Sequence, residues 1–329
     1  MTGARNAEFN PPRWLRNPHL QSMLHGLSPL AALAWWRARA LRRAAQVQLV
    51  DCGDGVRLQA FYTPTAQSRG RLAVLLHGWE GSAHSAYVLS LGAMLHAQGY
   101  GVLRLNLRDH GGTQSLNREL FHSCRLSEVV GALRSISGAH PGEQLYLAGF
   151  SLGGNFLLRA AADPALAELP VAHVVAISPV LDPASTLVAM EQGPSIYQRY
   201  FVLRWSGSLR DKQRAWPDEH DFEPVIANGS LRHMTAALVV DHTPYPDIDT
   251  YLANYAITGE RLAQLCAPCE LLLAADDPII PAADLSRLAN NERLRVTLTA
   301  HGGHCGFIER PGRPSFADRF VLRCFAAQA

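Results

Sequence analysis

The sequence predicts an α/β fold, with a mostly parallel central sheet flanked by helices, and two observations lead to this prediction. Apolar runs typical of buried strands alternate with segments of helical spacing from about residue 71 to residue 177, and the alternation returns from residue 270. Strands and helices that alternate in this way give parallel strands with helices on both faces of the sheet. A hairpin pattern before residue 63 adds antiparallel strands at one edge.

Each predicted element has a signal of its own. Gln46–Asp51 and Arg57–Tyr62 alternate apolar and polar residues and are joined by Cys52-Gly53-Asp54-Gly55, as in a hairpin. The other predicted strands are continuous apolar runs, and the predicted helices place apolar residues three or four positions apart. These strands are Arg71–Leu76, Val102–Leu107, Gln144–Phe150, Val171–Ile177, Glu270–Ala275 and Val296–Thr299, and the helices are Ala83–Gln98, Leu126–Ser137, Asn155–Ala162, Ala282–Ala289 and Phe316–Phe325.

The alternation is interrupted between about residues 181 and 264. This segment has helical pieces, many aromatic residues and no clear strand. We interpret it as a helical cap inserted over the carboxyl ends of the strands, where open α/β sheets bind ligands. The chain is therefore expected to form a single domain over residues 1–329, with residues 1–45 as an N-terminal extension and residues 181–264 as the cap.

One predicted helix of the cap has an aromatic face. Tyr197, Phe201 and Trp205 follow one another at intervals of four residues, so they lie on the same side of a helix. Two interpretations are open. These side chains can pack the cap onto the core, or some of them can line the path of a substrate.

Composition argues against several classes of protein. A net charge of +2 lacks the basic character of nucleic-acid-binding proteins. The six cysteines have no disulfide-framework spacing, so we expect reduced thiols and a cytoplasmic protein. Cys266 and Cys269 have C-x-x-C spacing but precede a strand, which argues against a thioredoxin-like role, and no second pair completes a zinc site. No cofactor and no metal are expected.

The N-terminal region contains the only candidate membrane signal. Pro29–Trp36 is apolar and is followed by Arg37, Arg39, Arg42 and Arg43. The run is shorter than the ~20 apolar residues of a spanning helix, and arginines stand where a signal peptide would be cleaved. The segment is expected to be an amphipathic helix packed on the domain or an interfacial helix in weak contact with anionic lipid.

The candidate catalytic centre begins at Ser151. The predicted strand Gln144–Phe150 leads directly into Gly149-Phe150-Ser151-Leu152-Gly153, and a helical pattern follows. Strand, G-x-S-x-G and helix together indicate a nucleophile elbow, a tight turn that raises a serine hydroxyl above the sheet. Gly149 and Gly153 remove the side chains that would collide in this turn. The alternative is an ordinary turn between a strand and a helix.

A nucleophilic serine needs a histidine base and an acid that orients this base, and in this arrangement the acid follows the serine along the chain. The strand Glu270–Ala275 ends at Asp276 and Asp277, which are both candidates. We favour Asp277 because it lies deeper in the turn, so that Asp276 would brace the loop. Asp182, which follows the preceding strand, is a third candidate.

Two histidines follow the last strand, where the base is expected. These are His301 and His304, separated by Gly302 and Gly303. We favour His304, because the two glycines give its loop the freedom to reach back to Ser151. His301 would then stabilise the loop.

The second part of an oxyanion hole is expected in the loop that follows Arg71–Leu76. Gly78 allows the backbone to turn there, and the N–H of Trp79 would join that of Leu152. His77 is expected to form a hydrogen bond within this loop and to take no part in catalysis.

Six short motifs are spread along the chain: Asn17-Pro18-His19-Leu20-Gln21, His77-Gly78-x-Glu80-Gly81-Ser82, Gly149-x-Ser151-Leu152-Gly153-Gly154-Asn155, Met190-Glu191-Gln192-Gly193, Asp276-Asp277-Pro278 and His301-Gly302-Gly303-His304-x-Gly306-Phe307. Together they resemble the YheT-like branch of the α/β-hydrolases, which also contains animal abhydrolase-domain lipases and yeast medium-chain ester synthase/hydrolases. The resemblance runs from about residue 17 to the end of the chain.

This resemblance implies an α/β-hydrolase fold with an inserted helical cap, and it implies Ser151 as nucleophile, Asp277 as acid and His304 as base. One loop departs from the pattern: residues 106–112 read Asn-Leu-Arg-Asp-His-Gly-Gly, where many members have Asn-x-Arg-Gly-x-Gly. The loop borders the site, so the resemblance does not define the substrate in detail.

The expected function is that of a serine esterase acting on small-molecule carboxylic esters, with short or medium acyl chains. Two alternatives are an acyltransferase that uses an alcohol at the same site and a binding protein without activity. No nucleic-acid partner is expected, and the sequence makes no prediction of the oligomeric state.

Overall fold

In the part of the chain that the structure describes, nine strands form one sheet, with helices packed on both of its faces. The computed structural model describes residues 5–6, 9–24, 28–67, 70–227 and 229–327 of the chain. The strands are β1 (Arg5–Asn6), β2 (Gln46–Asp51), β3 (Arg57–Thr63), β4 (Arg71–Leu76), β5 (Gly101–Leu105), β6 (Gln144–Phe150), β7 (Val171–Ile177), β8 (Cys269–Ala274) and β9 (Leu294–Thr299).

The sheet is mostly parallel. Its strands lie in the order β1-β9-β8-β7-β6-β4-β5-β3-β2. Strand β3 is antiparallel to both β2 and β5, and the other neighbouring pairs are parallel. The predicted fold class, with antiparallel strands at one edge, is confirmed.

The described α-helices are distributed along the whole chain. They are α1 (Pro18–Leu24), α2 (Ser28–Arg37), α3 (Arg39–Arg43), α4 (Ala86–Ala97), α5 (Leu126–Ala139), α6 (Leu152–Ala161), α7 (Pro183–Gln192), α8 (Ser195–Ala215), α9 (Glu223–Ile226), α10 (Leu231–His242), α11 (Ile248–Asn254) and α12 (Phe316–Ala326). None of these described helices is both long and apolar enough to span a membrane.

Alternate residues of the central strands supply two layers of core. In β4, Leu72, Val74 and Leu76 belong to the layer that includes α5 and α6, while Ala73 and Leu75 belong to the layer that includes α4 and α12. All five side chains are fully buried. Burial on both faces explains why this strand is a continuous apolar run in the sequence.

The predicted helix Ala282–Ala289 is instead a short 3₁₀ helix, Ala282–Arg287. Residues three apart lie above one another in a 3₁₀ helix. Here the Arg287 guanidinium lies 3.1 Å from the Asp284 carboxylate, three residues earlier, which agrees with this geometry.

Between β7 and β8 the described residues form helices α7 to α11 and no strand. Helices α7, α8, α10 and α11 wall a cavity that also reaches Ser151, at the carboxyl end of β6. The division of the chain into one domain with an N-terminal extension and a cap stays a prediction.

Candidate active site

Ser151 occupies the tight turn between β6 and α6. Its φ of 49° and ψ of −119° lie outside the regions that non-glycine residues usually adopt, which is typical of the strained serine of a nucleophile elbow. A Cβ on Gly149 would lie 2.5 Å from the carbonyl oxygen of Gly153, and a Cβ on Gly153 would lie 2.4 Å from that of His77. Only glycine fits at these two positions.

The structure brings His304 to Ser151 and Asp277 to His304. His304 Nε2 lies 3.0 Å from Ser151 Oγ, and His304 Nδ1 lies 3.0 Å from Asp277 Oδ2. The Asp277 side chain is fully buried, and its Oδ1 accepts hydrogen bonds from the N–H groups of Ile279 and Ile280. The carboxylate is thereby fixed with its second oxygen facing the imidazole. This arrangement can pass the serine proton to the histidine.

The other candidate acids and base make different contacts. His301 Nδ1 lies 3.2 Å from Asp276 Oδ2, and Asp276 Oδ1 accepts a hydrogen bond from the Gly303 N–H. Asp276 and His301 therefore brace the loop that carries His304. Asp182 accepts hydrogen bonds at the N-terminus of α7.

Burial and charge act in opposite directions on His304. Burial by itself lowers the pKa of this imidazole, whereas Cys305 and the Asp277 carboxylate raise it, and the net pKa lies well above the ordinary histidine value. We attribute the increase to Asp277, because its carboxylate lies 3.0 Å from His304 Nδ1 and favours the charged imidazolium.

His77 is buried and holds the loop after β4. The Leu107 N–H donates to His77 Nε2 at 3.1 Å, so Nδ1 carries the proton and donates it to the Gly78 carbonyl at 2.7 Å. Burial, with His110 as a neighbour, lowers the pKa of His77 to about 3. The ring is therefore neutral, and the structure places it in a loop contact.

The N–H groups of Trp79 and Leu152, which are predicted to form an oxyanion hole, both lie next to Ser151. Leu152 is the first residue of α6, so its N–H has no partner within the helix. Trp79 follows Gly78, and a Cβ on Gly78 would lie 3.1 Å from Ser151 Cβ, so the loop passes directly beside the serine.

Helix α6 begins at Leu152, three residues before the predicted start at Asn155, because the glycines after Leu152 give no helical signal.

A cavity of about 660 Å³ opens at Ser151 and is walled mostly by apolar side chains. The predicted aromatic face lies on α8 and contributes to this wall. Phe201 stacks on Trp79 with a centroid distance of 5.1 Å, and Trp205 meets the same indole edge-on at 5.1 Å. The Tyr197 hydroxyl lies 2.9 Å from His19 Nδ1. The aromatic face therefore both packs on its neighbours and lines the cavity.

The model of a family described as "Alpha/beta hydrolase family" matches residues 73–314, which is most of the chain. The chain belongs to the α/β-hydrolase family. The architecture of the sheet and the elbow at Ser151 agree with this membership.

Relatives within the α/β-hydrolase family extend over nearly the whole chain. The YheT protein of Escherichia coli strain K12, provisionally named an esterase, is 28% identical over 92% of this chain and 88% of its own length. Human protein ABHD15 is 26% identical over 97% of this chain and 69% of its own length. The predicted resemblance is confirmed.

A solved structure of an esterase from Pyrococcus furiosus is similar in fold. It has a TM-score of 0.56 and 14% identity, and the match covers 85% of this chain and 88% of that chain. At this level of identity the similarity shows the fold alone.

In this α/β-hydrolase the N-terminal segment supports the histidine loop, which sequence reasoning missed. The His304 N–H donates to Ser22 Oγ of α1 at 2.8 Å. Gln21 is fully buried and exchanges two hydrogen bonds with the backbone of Ile308. A Cβ on Gly303 would lie 2.4 Å from a carbonyl oxygen of α1. The Asn-Pro-His-Leu-Gln motif directly before Ser22 was the available signal for this contact.

The loop after β5 contains the residue that departs from the pattern of the α/β-hydrolase branch. Asp109 stands where many members have glycine, and its φ of 59° lies in the left-handed region. Aspartate tolerates this region better than most residues. Its carboxylate accepts hydrogen bonds from the Phe121 N–H and from Nζ of Lys212, a fully buried residue of α8. Asp109 therefore links α8 to the loop after β5.

Proposed function

We propose that the protein is a serine esterase that hydrolyses carboxylic esters with short or medium acyl chains. The observation that carries this proposal is the pair of 3.0 Å contacts that joins Ser151 Oγ to His304 Nε2 and His304 Nδ1 to Asp277 Oδ2. Family membership and the name of the Escherichia coli relative support hydrolysis of esters.

In the proposed reaction, Ser151 Oγ attacks the ester carbonyl carbon while its proton passes to His304 Nε2. The carbonyl oxygen becomes an oxyanion, which the N–H groups of Trp79 and Leu152 stabilise. The intermediate then collapses, the proton on Nε2 goes to the leaving alcohol, and an acyl-enzyme remains. Water, deprotonated by His304, attacks this acyl-enzyme, which releases the acid and restores Ser151. Asp277 orients the imidazole and stabilises its charged form.

The cavity supports binding of an acyl chain. Its volume of about 660 Å³ lies within the range of ~300–1,000 Å³ that is usual for small-molecule sites. Its walls are mostly apolar, and each methylene buried there contributes up to ~0.8 kcal/mol of binding free energy. Polar side chains such as Glu80, His122 and Arg204 also line the cavity, but apolar and aromatic side chains predominate, which suits a substrate that is recognised mainly by its hydrocarbon part.

The test is to measure kcat/KM for p-nitrophenyl esters graded by acyl length. We expect an optimum at a short or medium chain. Phe201→Ala should move this optimum toward longer chains, because the ring forms part of the cavity wall. Leu209→Ala is the matched control: it truncates a buried residue of the same helix outside the cavity wall, so it should lower the melting temperature only. Folded protein that turns over no ester would favour a binding protein.

The cavity also favours acyl transfer to an alcohol as a second candidate function. The contacts of Trp79 with Phe201 and Trp205 place aromatic surface next to the serine, which limits the access of water to the acyl-enzyme. Added ethanol separates the two functions. An esterase yields mainly acid, whereas a transferase yields mainly the ethyl ester.

We also propose a cytoplasmic location and a weak contact of α2 with anionic membranes. All six cysteines are free thiols, which fits a reducing compartment. Trp35 and Trp36 are 44% and 57% exposed, and the guanidinium groups of Arg42 and Arg39 lie 3.5 and 4.2 Å from the centres of their rings. Such a surface suits an anionic interface. Co-sedimentation with anionic vesicles at low salt should fall in Trp36→Ser, and no binding of the wild-type protein would contradict the contact.

A further inference from the structure

Three side chains with metal-binding atoms converge at the end of the sheet opposite to Ser151. His173 lies near the beginning of β7, Glu270 near the beginning of β8, and Cys324 in α12. One ring nitrogen, one carboxylate oxygen and the thiol sulfur all lie within 4.8 Å of one another. His173 is only 3% exposed, whereas Glu270 and Cys324 are half-buried, so the group is reachable from the surface.

The fold explains why these residues meet. Val175 of β7 pairs with Glu270 of β8, and His173 lies two residues before Val175, on the same face of the sheet. Helix α12 packs on this face, where the ring of Phe325 lies 6.4 Å from that of His173. Cys324 is the neighbour of Phe325 on that helix. The three side chains therefore project from two paired strands and a helix, which are rigid supports for a binding site.

His173 is the unusual member of this group. Neither of its ring nitrogens has a hydrogen-bond partner among the described residues, although buried polar groups are nearly always paired. A neutral imidazole whose ring nitrogens are not hydrogen-bonded has a lone pair available, and this is the form that binds metal ions.

We propose that His173, Glu270 and Cys324 form a binding site for Zn²⁺, with water as a fourth ligand. Nitrogen, thiolate sulfur and carboxylate oxygen are the ligands that zinc takes in proteins, at about 2.0–2.3 Å and in tetrahedral geometry. Tetrahedral bonds of this length place the ligand atoms about 3.5 Å apart, so the side chains need to close by about 1 Å. Rotations of the half-buried Glu270 and Cys324 side chains can supply this movement.

The charges of the group suit a divalent cation. Arg295 lies 3.6 Å from the Glu270 carboxylate, and a bound ion would take over this contact of the carboxylate. Zinc binding must release the Cys324 thiol proton to solvent as the zinc–sulfur bond forms. The resulting thiolate and the Glu270 carboxylate then balance the two positive charges of the ion. The bound ion would hold α12 against β7 and β8.

The test is to bind Co²⁺ and Zn²⁺ to the full chain. Wild-type protein should show a thiolate-to-cobalt charge-transfer band and should bind one Zn²⁺ in competition with a chromophoric chelator. Cys324→Ser should lose the band and weaken zinc binding by roughly 100-fold or more, since even changes outside the first ligands cost metal sites about 10–100-fold. Cys124→Ser, which alters another half-buried thiol, should keep both properties.

Glu270→Gln preserves the shape of the side chain and should also weaken zinc binding. It provides a second test if Cys324→Ser does not fold. Turnover of p-nitrophenyl esters by the metal-free variants should equal that of the wild-type protein, which shows that the active site is intact. Equal zinc affinity in Cys324→Ser, Cys124→Ser and wild type, or a wild-type protein without the cobalt band, would overturn the proposal.

Discussion

A histidine lies at each end of the sheet, the partly buried His304 at the carboxyl end and the buried His173 at the amino end, and the two differ in their partners. His304 contacts Ser151 and Asp277, and its pKa lies well above the ordinary value. His173 has no hydrogen-bond partner among the described residues, and its pKa is lowered to about 4. Burial lowers the pKa in both cases. The difference is the contact with a carboxylate: Asp277 lies 3.0 Å from His304 and raises its pKa, whereas Glu270 is near His173 without a hydrogen bond to it, and Arg295 lowers the pKa of His173 further.

The largest expected effect separates His304 from its neighbour in the same loop. His304→Ala should lower kcat by about 10⁴–10⁶-fold, because loss of a member of a catalytic triad typically costs this much. His301→Ala should cost far less, because His301 contacts Asp276 and not Ser151. Steady-state kinetics with one p-nitrophenyl ester measures both. A greater loss in His301→Ala would show that the base is wrongly assigned.

The acid should follow next in size. Asp277→Asn should lower kcat by roughly 10⁴-fold, because an amide favours the wrong tautomer of the imidazole. Asp276→Asn alters only a brace of the loop and serves as the matched control. Similar losses in both variants would mean that the loop geometry matters and the charge of Asp277 does not.

His173 should be visible in the acid stability of the metal-free protein. A histidine whose pKa is lowered on folding stabilises the native state fully above its unfolded pKa of ~6.5, and this contribution is lost as the pH falls toward the folded value. We compare the free energy of unfolding of the wild-type protein and of His173→Phe by chemical unfolding. Between pH 6.5 and pH 4 it should decline by about 1–3 kcal/mol more in the wild-type protein. Equal declines in the two proteins would show that His173 does not contribute to the loss of stability in acid.

The support from α1 should have a smaller effect. Ser22→Ala removes the acceptor of the His304 N–H, and a single hydrogen bond contributes about 0.5–1.5 kcal/mol. We expect kcat to fall by about 3–10-fold with little change in melting temperature. Ser22→Thr, which keeps the hydroxyl, should recover most of the activity, and failure of this recovery would point to packing as the cause.

The smallest expected effect is a displacement of the pH profile. The base must be neutral to accept the serine proton, and Asp277 raises the pKa of His304, so kcat/KM should rise with pH with a midpoint above ~6.5. The residual activity of Asp277→Asn should have a lower midpoint, because the raising charge is gone. A midpoint that does not move would argue against Asp277 as the source of the shift.

Sequence reasoning predicted the sheet and the relative positions of the candidate site residues, because both depend on local patterns and on the order of elements. Ser151, Asp277 and His304 each follow the carboxyl end of a strand, and parallel strands bring these ends to one edge. Their catalytic roles stay a prediction.

The remaining features depend on contacts between distant parts of the chain. Ser22 and His304 are 282 residues apart, and the Asn-Pro-His-Leu-Gln motif before Ser22 marks this segment without indicating its partner. The group of His173, Glu270 and Cys324 has no motif spacing, because strand register and the packing of α12 bring it together. In the sequence, the C-x-x-C pair of Cys266 and Cys269 is the more visible metal-binding pattern, whereas the metal site proposed from the structure lies at His173, Glu270 and Cys324.

Covalent trapping of the nucleophile tests the central claim most directly. A fluorophosphonate reacts with a serine that a neighbouring base has activated, and the labelled residue can be identified by peptide mass analysis. We predict one label on each wild-type chain, located on Ser151, absent in Ser151→Ala, strongly reduced in His304→Ala and retained in His301→Ala. Folded wild-type protein that takes up no label, or a label that persists in Ser151→Ala, would contradict the assignment of Ser151 as an activated nucleophile.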